Sequence, residues 1–380
     1  MKRARCVAVY RIQQAAMLAM LAAVGCGEDS ETTGSTAAAT RTTPGDTAAL
    51  LGQDQPDEDL LPISSDVERQ FDFWLGEWDV QNRYLVNGAW QETGQAQALI
   101  QSVAGGKAIL EQWDGTAQHR LHGFSIRTYD DELKKWVIVL NWHGGSPSGF
   151  SQMHGVFSED RGEFFPPGGG PKGTRFTFSK PRPSSCQWDQ ANSQNGGQTW
   201  ETNWIMSFTR REEPTTADAS SLPIKQLPES AKSFPKSRLF DGQIGCWSGT
   251  AERITDSGEW EQGTVEVAVS SMIEGLGLIR LADYSWDEHA FAALAFDPNR
   301  NKWVSVGVDN LQDRFQWCSG MPSDDVVTFS DMRMNAETIL QETWSGLSGD
   351  AVRVEREVSI DGGRTFSSVL RANLERQIDD

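Results

Sequence analysis

Along residues 352 to 358 apolar and charged side chains take turns: Val352, Val354 and Val358 stand between Arg353, Glu355 and Glu357. Val265, Val267 and Val269 alternate in the same way with Thr264, Glu266 and Ala268. A period of two puts one set of side chains on a buried face and the other in water, the pattern of an antiparallel strand. Turn residues separate such runs at Asn87-Gly88, Gly105-Gly106, Asp130-Asp131, Asp256-Ser257-Gly258 and Asp297-Pro298-Asn299. Asn-Gly supplies the positive φ angles of a tight hairpin. No long stretch has helical periodicity, and short strands recurring at roughly 8 to 12 residue spacing predict a sandwich or a barrel. Ser65-Asp66-Val67-Glu68 departs from this: it is a capping-box pattern, predicting one or two helical turns that precede the first strand and cover an open barrel end.

The whole pattern is written twice. FDFWLGEWDV at 71 to 80 matches FDGQIGCWSG at 240 to 249, and GAW at 88 to 90 matches GEW at 258 to 260. His122-Gly-Phe124 matches His289-Ala-Phe291, and Lys135-Trp136-Val137 matches Lys302-Trp303-Val304. A nearly constant offset marks a tandem duplication. One copy covers 65–212 and the other 238–377, joined by a linker over 213–237 that carries Pro214, Pro223, Pro228 and Pro235.

Each copy ends on the same small turn, NGGQTW at 195 to 200 and DGGRTF at 361 to 366. With Ser193 and Ser359 these turns fit the Asp-box pattern of sialidases and other propeller proteins, the first with Asn in place of Asp. One box per copy falls short of one per blade. The physical reading is a hairpin device in which a short polar side chain closes onto backbone amides and Gly supplies positive φ.

FDFWLGEWDV, GGKAILEQW at 105 to 113, the YD…KKW segment at 129 to 136 and NGGQTW together resemble the secreted bacterial domain of unknown function 1579. The likeness is weaker in the second copy, where Gly242-Gln243 replaces the Phe-Trp pair. The resemblance implies an architecture related to lipocalin-like and nitrobindin-like barrels and implies no reaction. The expected fold is therefore all-β: two tandem antiparallel up-and-down β-barrels, lipocalin- or calycin-like, each with a short helical cap.

Lys2, Arg3, Arg5 and Arg11, the apolar run Ala15 to Val24 and the small residues before Cys26 make a signal peptide over 1–25, too short to span a bilayer as a mature helix. Cys26 after small residues resembles a bacterial lipobox, with Ala23 in place of the usual Leu, so Cys26 is the expected lipidation site. The alternative is an ordinary signal peptide cut near Gly25. Residues 26–64 hold too few large apolar side chains to order themselves and read as a disordered tether. The formal charge of -19 becomes more negative still once the basic leader is removed. That excludes a nucleic-acid surface and favours solubility. Of five cysteines, Cys186, Cys246 and Cys318 remain in the folded part. A Cys246–Cys318 disulfide is the first candidate, with Cys186–Cys246 and Cys186–Cys318 as rivals.

No G-x-S-x-G elbow, H-E-x-x-H pair, phosphate loop or C-x-x-C occurs, so no catalytic, metal or cofactor site is assigned. The last strand of each copy lacks His, which counts against haem bound in the nitrobindin manner. Fifteen Trp supply large rings suited to barrel interiors. Trp78, Trp136, Trp247 and Trp303 occupy repeat-equivalent positions and read as core. Trp113, Trp142 and Trp317 lack such equivalents and read as pocket-lining, with His143 beside Trp142. Glu111 and Arg127 in the first copy, and Arg280 with Asp309 in the second, are the candidate polar contacts.

These features predict a lipid-anchored envelope protein, placed at the outer membrane by Gly27 after Cys26, or else a secreted or periplasmic one. Its expected partners are the membrane, through Cys26, and a small apolar or aromatic ligand inside a barrel. A structural or protein-interaction lipoprotein with filled barrels is the alternative, and an envelope hydrolase acting on carbohydrate or ester a further one.

Overall fold

The computed structural model describes residues 60–115, 121–143, 147–168, 173–211, 235–272, 275–312, 314–332 and 338–377. The expected signal peptide, Cys26, most of the tether and most of the linker lie outside the described residues.

The chain forms two closed ten-stranded antiparallel barrels. Barrel 1 begins with β1 (Gly76–Val86), β2 (Ala89–Val103), β3 (Ala108–Gly115), β4 (His122–Asp130) and β5 (Lys135–His143). It continues through β6 (Ser151–Ser158), β7 (Arg161–Phe165), β8 (Gly173–Ser179), β9 (Ser185–Ser193) and β10 (Glu201–Arg210). Barrel 2 repeats the order with β11 (Gly245–Ile254), β12 (Trp260–Met272), β13 (Gly277–Tyr284), β14 (His289–Asp297) and β15 (Lys302–Asp309). It ends with β16 (Gln316–Gly320), β17 (Val326–Asp331), β18 (Ile339–Ser345), β19 (Ala351–Ser359) and β20 (Ser367–Arg376). Each first strand pairs with both its successor and the last strand, so neither sheet leaves an unpaired edge. Asn87 and Gly88 both have positive φ in the β1–β2 hairpin, as a two-residue turn needs.

Short 3-10 turns precede each barrel, Val67–Arg69 and Asp72–Trp74 in one case, Pro235–Arg238 and Asp241–Gln243 in the other. The N-cap of the first is Asp66 and not Ser65: the Asp66 carboxylate accepts from the Glu68 amide, and Glu68 turns instead to the Lys107 ammonium. Each barrel is closed at this end by one repeated device. In barrel 1 the Arg210 guanidinium lies 4.1 Å from the Trp78 ring centroid and donates to the carbonyls of Phe73 and Leu75. In barrel 2 Arg376 lies 4.2 Å from the Trp247 centroid and donates to the carbonyls of Ile244 and Gly242. A planar fork of donors over an aromatic face ties the last strand to the turn before the first one.

The two closing turns behave as hairpin devices. Asp361 accepts from the amides of Arg364 and Thr365, and Gly363 donates to Ser359 Oγ. Asn195 accepts from the Thr199 amide, and Gly197 donates to Ser193 Oγ. Ten hydrogen-bonded strands per closed barrel leave no place for propeller blades.

A feature that period-two alternation does not announce joins the barrels. Leu110, Phe124, Ile126, Val137 and Val139, on the outer face of β3 to β5, form one apolar cluster with Ile279, Leu281, Phe291, Ala293, Val304, Val306 and Val308 of β13 to β15. These strands are buried on both faces, inward against the lumen and outward against the other barrel. Their sequences accordingly run nearly continuously apolar, as in WVIVL at 136 to 140 and AFAALAF at 290 to 296. The backbone at Gly105 approaches so closely that a Cβ there would lie 3.1 Å from His289 and Asn310.

Among the described residues, Cys186, Cys246 and Cys318 carry thiols. Cys246 on β11 faces outward, while Cys318 on β16 belongs to the core of barrel 2, and five strand positions separate them around the barrel wall. The expected Cys246–Cys318 disulfide is therefore absent, because a disulfide needs Cα atoms within about 7 Å and converging Cβ vectors.

Candidate functional site

The lumen of barrel 1 is built from alternate residues of β3, β4 and β5. Register places Trp113, Gly123 and Trp142 in one row across the three strands. Gly123 is what lets both indoles turn inward, since a Cβ there would meet the Trp142 ring at 2.6 Å. Trp113 and Trp142 meet edge to face at 5.2 Å, and Trp142 meets Trp204 at 6.1 Å. Trp204 in turn contacts Trp188 at 5.1 Å and stacks on Tyr84 at 4.9 Å. Its indole N–H donates to Asn82 Oδ1. The 3-10 turns plug the opposite end of the barrel, where Phe71 packs on Trp136, six residues before Trp142 on β5. At the end away from the turns, Tyr84, Trp142 and Trp204 are half-buried above the fully buried Trp113 and Trp188.

Deeper in the same barrel, Glu111 and Arg127 face each other, 3 % and 1 % exposed. Arg127 donates to Glu111 Oε2 at 3.3 Å and to Ser125 Oγ, and Ser125 donates to the same carboxylate oxygen at 2.6 Å. Phe71, Trp74 and Phe178 surround the guanidinium, with centroids 4.1 to 5.2 Å away. Burial pushes the Glu111 carboxyl up, opposed by Arg127, and burial lowers Arg127 to about 10. Glu111 Oε1 and Arg127 Nε and Nη1 have no hydrogen-bond partner among the described residues.

Barrel 2 carries a different interior. Arg280 Nη1 lies 3.2 Å from Glu342 Oε1, and Arg356 donates to Glu342 Oε2 through Nε and Nη2 at 3.2 and 3.1 Å. The Trp344 indole donates to Glu342 Oε1 at 2.7 Å. Burial alone would raise the Glu342 carboxyl, but Arg280 and Arg356 hold it at about 2. Beside them lies a cavity of ≈ 40 Å³ that Arg280, Ser305, Asp309, Gln316, Glu342 and Arg356 help to line.

Of the residues singled out in the sequence, the structure brings Glu111, Trp113, Arg127 and Trp142 into one lumen and Arg280 with Asp309 into the other. Trp317 goes elsewhere. It pairs with Val306 on the outward face of its strand and meets Phe150 of barrel 1 at 6.0 Å, so it belongs to the seam between barrels and lines no lumen. His143 pairs with His122 at the end of β5, and its side chain lies outside the described residues. Arg356 and Glu342 escaped the sequence reading although both carry the signal: Arg356 continues the phase of Val352 and Val354, and Glu342 stands between Leu340 and Trp344. A charged residue in the apolar phase of a strand marks a polar group inside the barrel.

No helix among the described residues is long and apolar enough to cross a membrane, which says nothing about strands. No protein-family model matches the sequence, so the resemblance to domain of unknown function 1579 rests on the quoted residues alone. No curated protein matches it either. Among solved structures, similarity is found to Rv2717c from M. tuberculosis, at 14 % identity over 38 % of this chain and 99 % of that one, with a TM-score of 0.30. A protein of unknown function from the DUF3598 family of Nostoc punctiforme is 12 % identical over 81 % and 97 % of the two chains, with a TM-score of 0.28. A double mutant of the vaccine antigen transferrin binding protein B from Haemophilus parasuis is 8 % identical over 80 % and 76 %, with a TM-score of 0.18.

Proposed function

We propose that this tandem-barrel protein is a lipid-anchored envelope protein that binds a small apolar or aromatic molecule at the uncapped end of barrel 1. The observation that carries this reading is the set of half-buried rings of Tyr84, Trp142 and Trp204 above the buried indoles of Trp113 and Trp188. Rings already largely removed from water and held in place by ring contacts bind planar or apolar groups at low entropic cost. The buried Asn82, whose Oδ1 already accepts from the Trp204 indole, has no partner for Nδ2 among the described residues and supplies one fixed donor.

The test is native mass spectrometry of the protein purified gently from its own host's envelope, followed by titration of the recovered ligand against tryptophan fluorescence. Trp142→Ala is expected to weaken binding roughly thirtyfold, the loss of about 2 kcal/mol typical of an aromatic anchor. Trp142→Phe is expected to keep most of the affinity. A bare mass in the wild type, or equal affinity in Trp142→Ala, would return the protein to the filled-barrel, partner-binding reading. Anchoring is tested separately: Cys26→Ser is expected to move the protein from the detergent phase to the aqueous phase of a cloud-point separation. An unchanged partition would refute the lipid anchor.

A further inference from the structure

The two barrels have the same strands in the same register, so their lumens can be compared position by position. His122 corresponds to His289, and the pairs Gly123–Trp142 and Ala290–Asp309 occupy the same place in β4–β5 and β14–β15. Along this wall, Leu140 of barrel 1 becomes Gly307, Ile138 becomes Ser305, Ser125 becomes Ala292 and Trp142 becomes Asp309. On the neighbouring strand Glu111 becomes Arg280 and Trp113 becomes Ala282. The second copy has exchanged bulk for small and polar side chains, and the ≈ 40 Å³ cavity is the space this exchange leaves.

That space is far below the several hundred Å³ of a site for a drug-sized molecule, and it suits a species of a few heavy atoms. Its wall has more donors than acceptors. Arg280 and Arg356 share one carboxylate, Glu342, which already accepts from Trp344. The next carboxylate to Arg356, Glu288, is 3.7 Å from Nη1 and is itself engaged by the Trp286 indole. Asp309 accepts from the Leu311 amide and the Gln312 side chain. Each guanidinium carries five N–H groups in a planar fork, more than the contacts to Glu342 and Glu288 use, and both residues line the cavity.

We infer that barrel 2 holds a second ligand site, independent of the aromatic end of barrel 1, that takes a small planar oxyanion of the carboxylate class between Arg280 and Arg356. The guanidinium forks match the two oxygens of such an ion, and the cation stacked over Trp344 at 4.5 Å is fixed in place to receive them. Asp309 is the competing negative charge on the same wall. Glu342, Glu288 and the Tyr284 hydroxyl are the other titratable groups around the arginines.

Formate serves as the probe, with the full chain monitored by thermal unfolding and by line broadening of ¹³C-formate, against sodium chloride at equal ionic strength. The expected result is a saturable effect of formate that chloride does not reproduce. Arg280→Met is expected to weaken it at least tenfold. Gly307→Val fills the cavity from a wall position where a Cβ meets nothing closer than 3.4 Å, so the strand tolerates it. It is expected to abolish the formate effect while leaving the circular dichroism unchanged. Absence of a saturable effect in the wild type overturns the inference. So does a formate response that persists in a folded Gly307→Val variant, whatever Arg280→Met does to folding.

Discussion

Replacing Val306 with Asp is expected to lower the stability by on the order of 4 kcal/mol and to split one unfolding transition into two. Val306 is fully buried on the outward face of β15, in the cluster that joins Phe124, Ile126 and Val139 of barrel 1 to β13 to β15 of barrel 2. A carboxylate there would lie among the apolar side chains of the cluster. It either stays charged at a large desolvation cost or opens the seam. Opening the seam uncouples barrels whose own strands remain paired, which is why two transitions are expected. Val306→Ala, which only removes two methyl groups, is expected to cost about 2 kcal/mol and to keep a single transition. Calorimetry reads both, and emission from Trp317, packed on Phe150 across the seam, reports its opening. A single, barely shifted transition in Val306→Asp would show that the seam contributes little to stability.

Arg127→Met is the second substitution with a large expected effect, a loss of about 3 to 5 kcal/mol at neutral pH. The loss comes from Glu111, left buried with only the Ser125 hydroxyl to hydrogen-bond its charge. Burial already pushes the Glu111 carboxyl up, and without Arg127 only the Ser125 hydrogen bond opposes that shift. A carboxyl whose folded pKa lies above its unfolded value favours the fold at low pH, and that contribution is lost as pH rises through the folded value. The variant is therefore expected to lose stability as pH rises above the ordinary carboxylate range, by up to about 1.4 kcal/mol per unit. Glu111→Gln combined with Arg127→Met removes both charges and is expected to recover most of the loss and flatten the pH dependence. Urea unfolding across that rise in pH decides the matter; a pH-independent deficit would clear Glu111 of responsibility.

Much of the architecture is written in short-range terms. Asn87-Gly88 forms its hairpin because two positive φ angles are a property of those two residues, and Val352 with Val354 turn inward because a strand has a period of two. Glu111 and Arg127, named as candidate polar contacts, meet in one lumen because β3 and β4 are consecutive and antiparallel. Short-range reading faltered where position on the barrel circumference matters. Cys246 and Cys318 read as a pair by residue type, but the number of strands around a closed barrel sets one facing out and the other in on opposite walls. Arg356 and Glu342 lay in apolar phase and passed unnoticed, because their partner Arg280 comes from a strand 62 to 76 positions earlier in the sequence.

The sequence by itself determined the strands, the hairpin turns and the duplication. All of these follow from backbone geometry and neighbours a few residues away. Only the tertiary structure decided that Trp317 covers a seam instead of a pocket, that β3 to β5 and β13 to β15 bury both faces, and that the second lumen keeps a cavity beside Arg280 and Arg356. Those outcomes depend on which curved surfaces meet after closure and on how volumes sum across ten strands. No local pattern along the chain encodes such a sum.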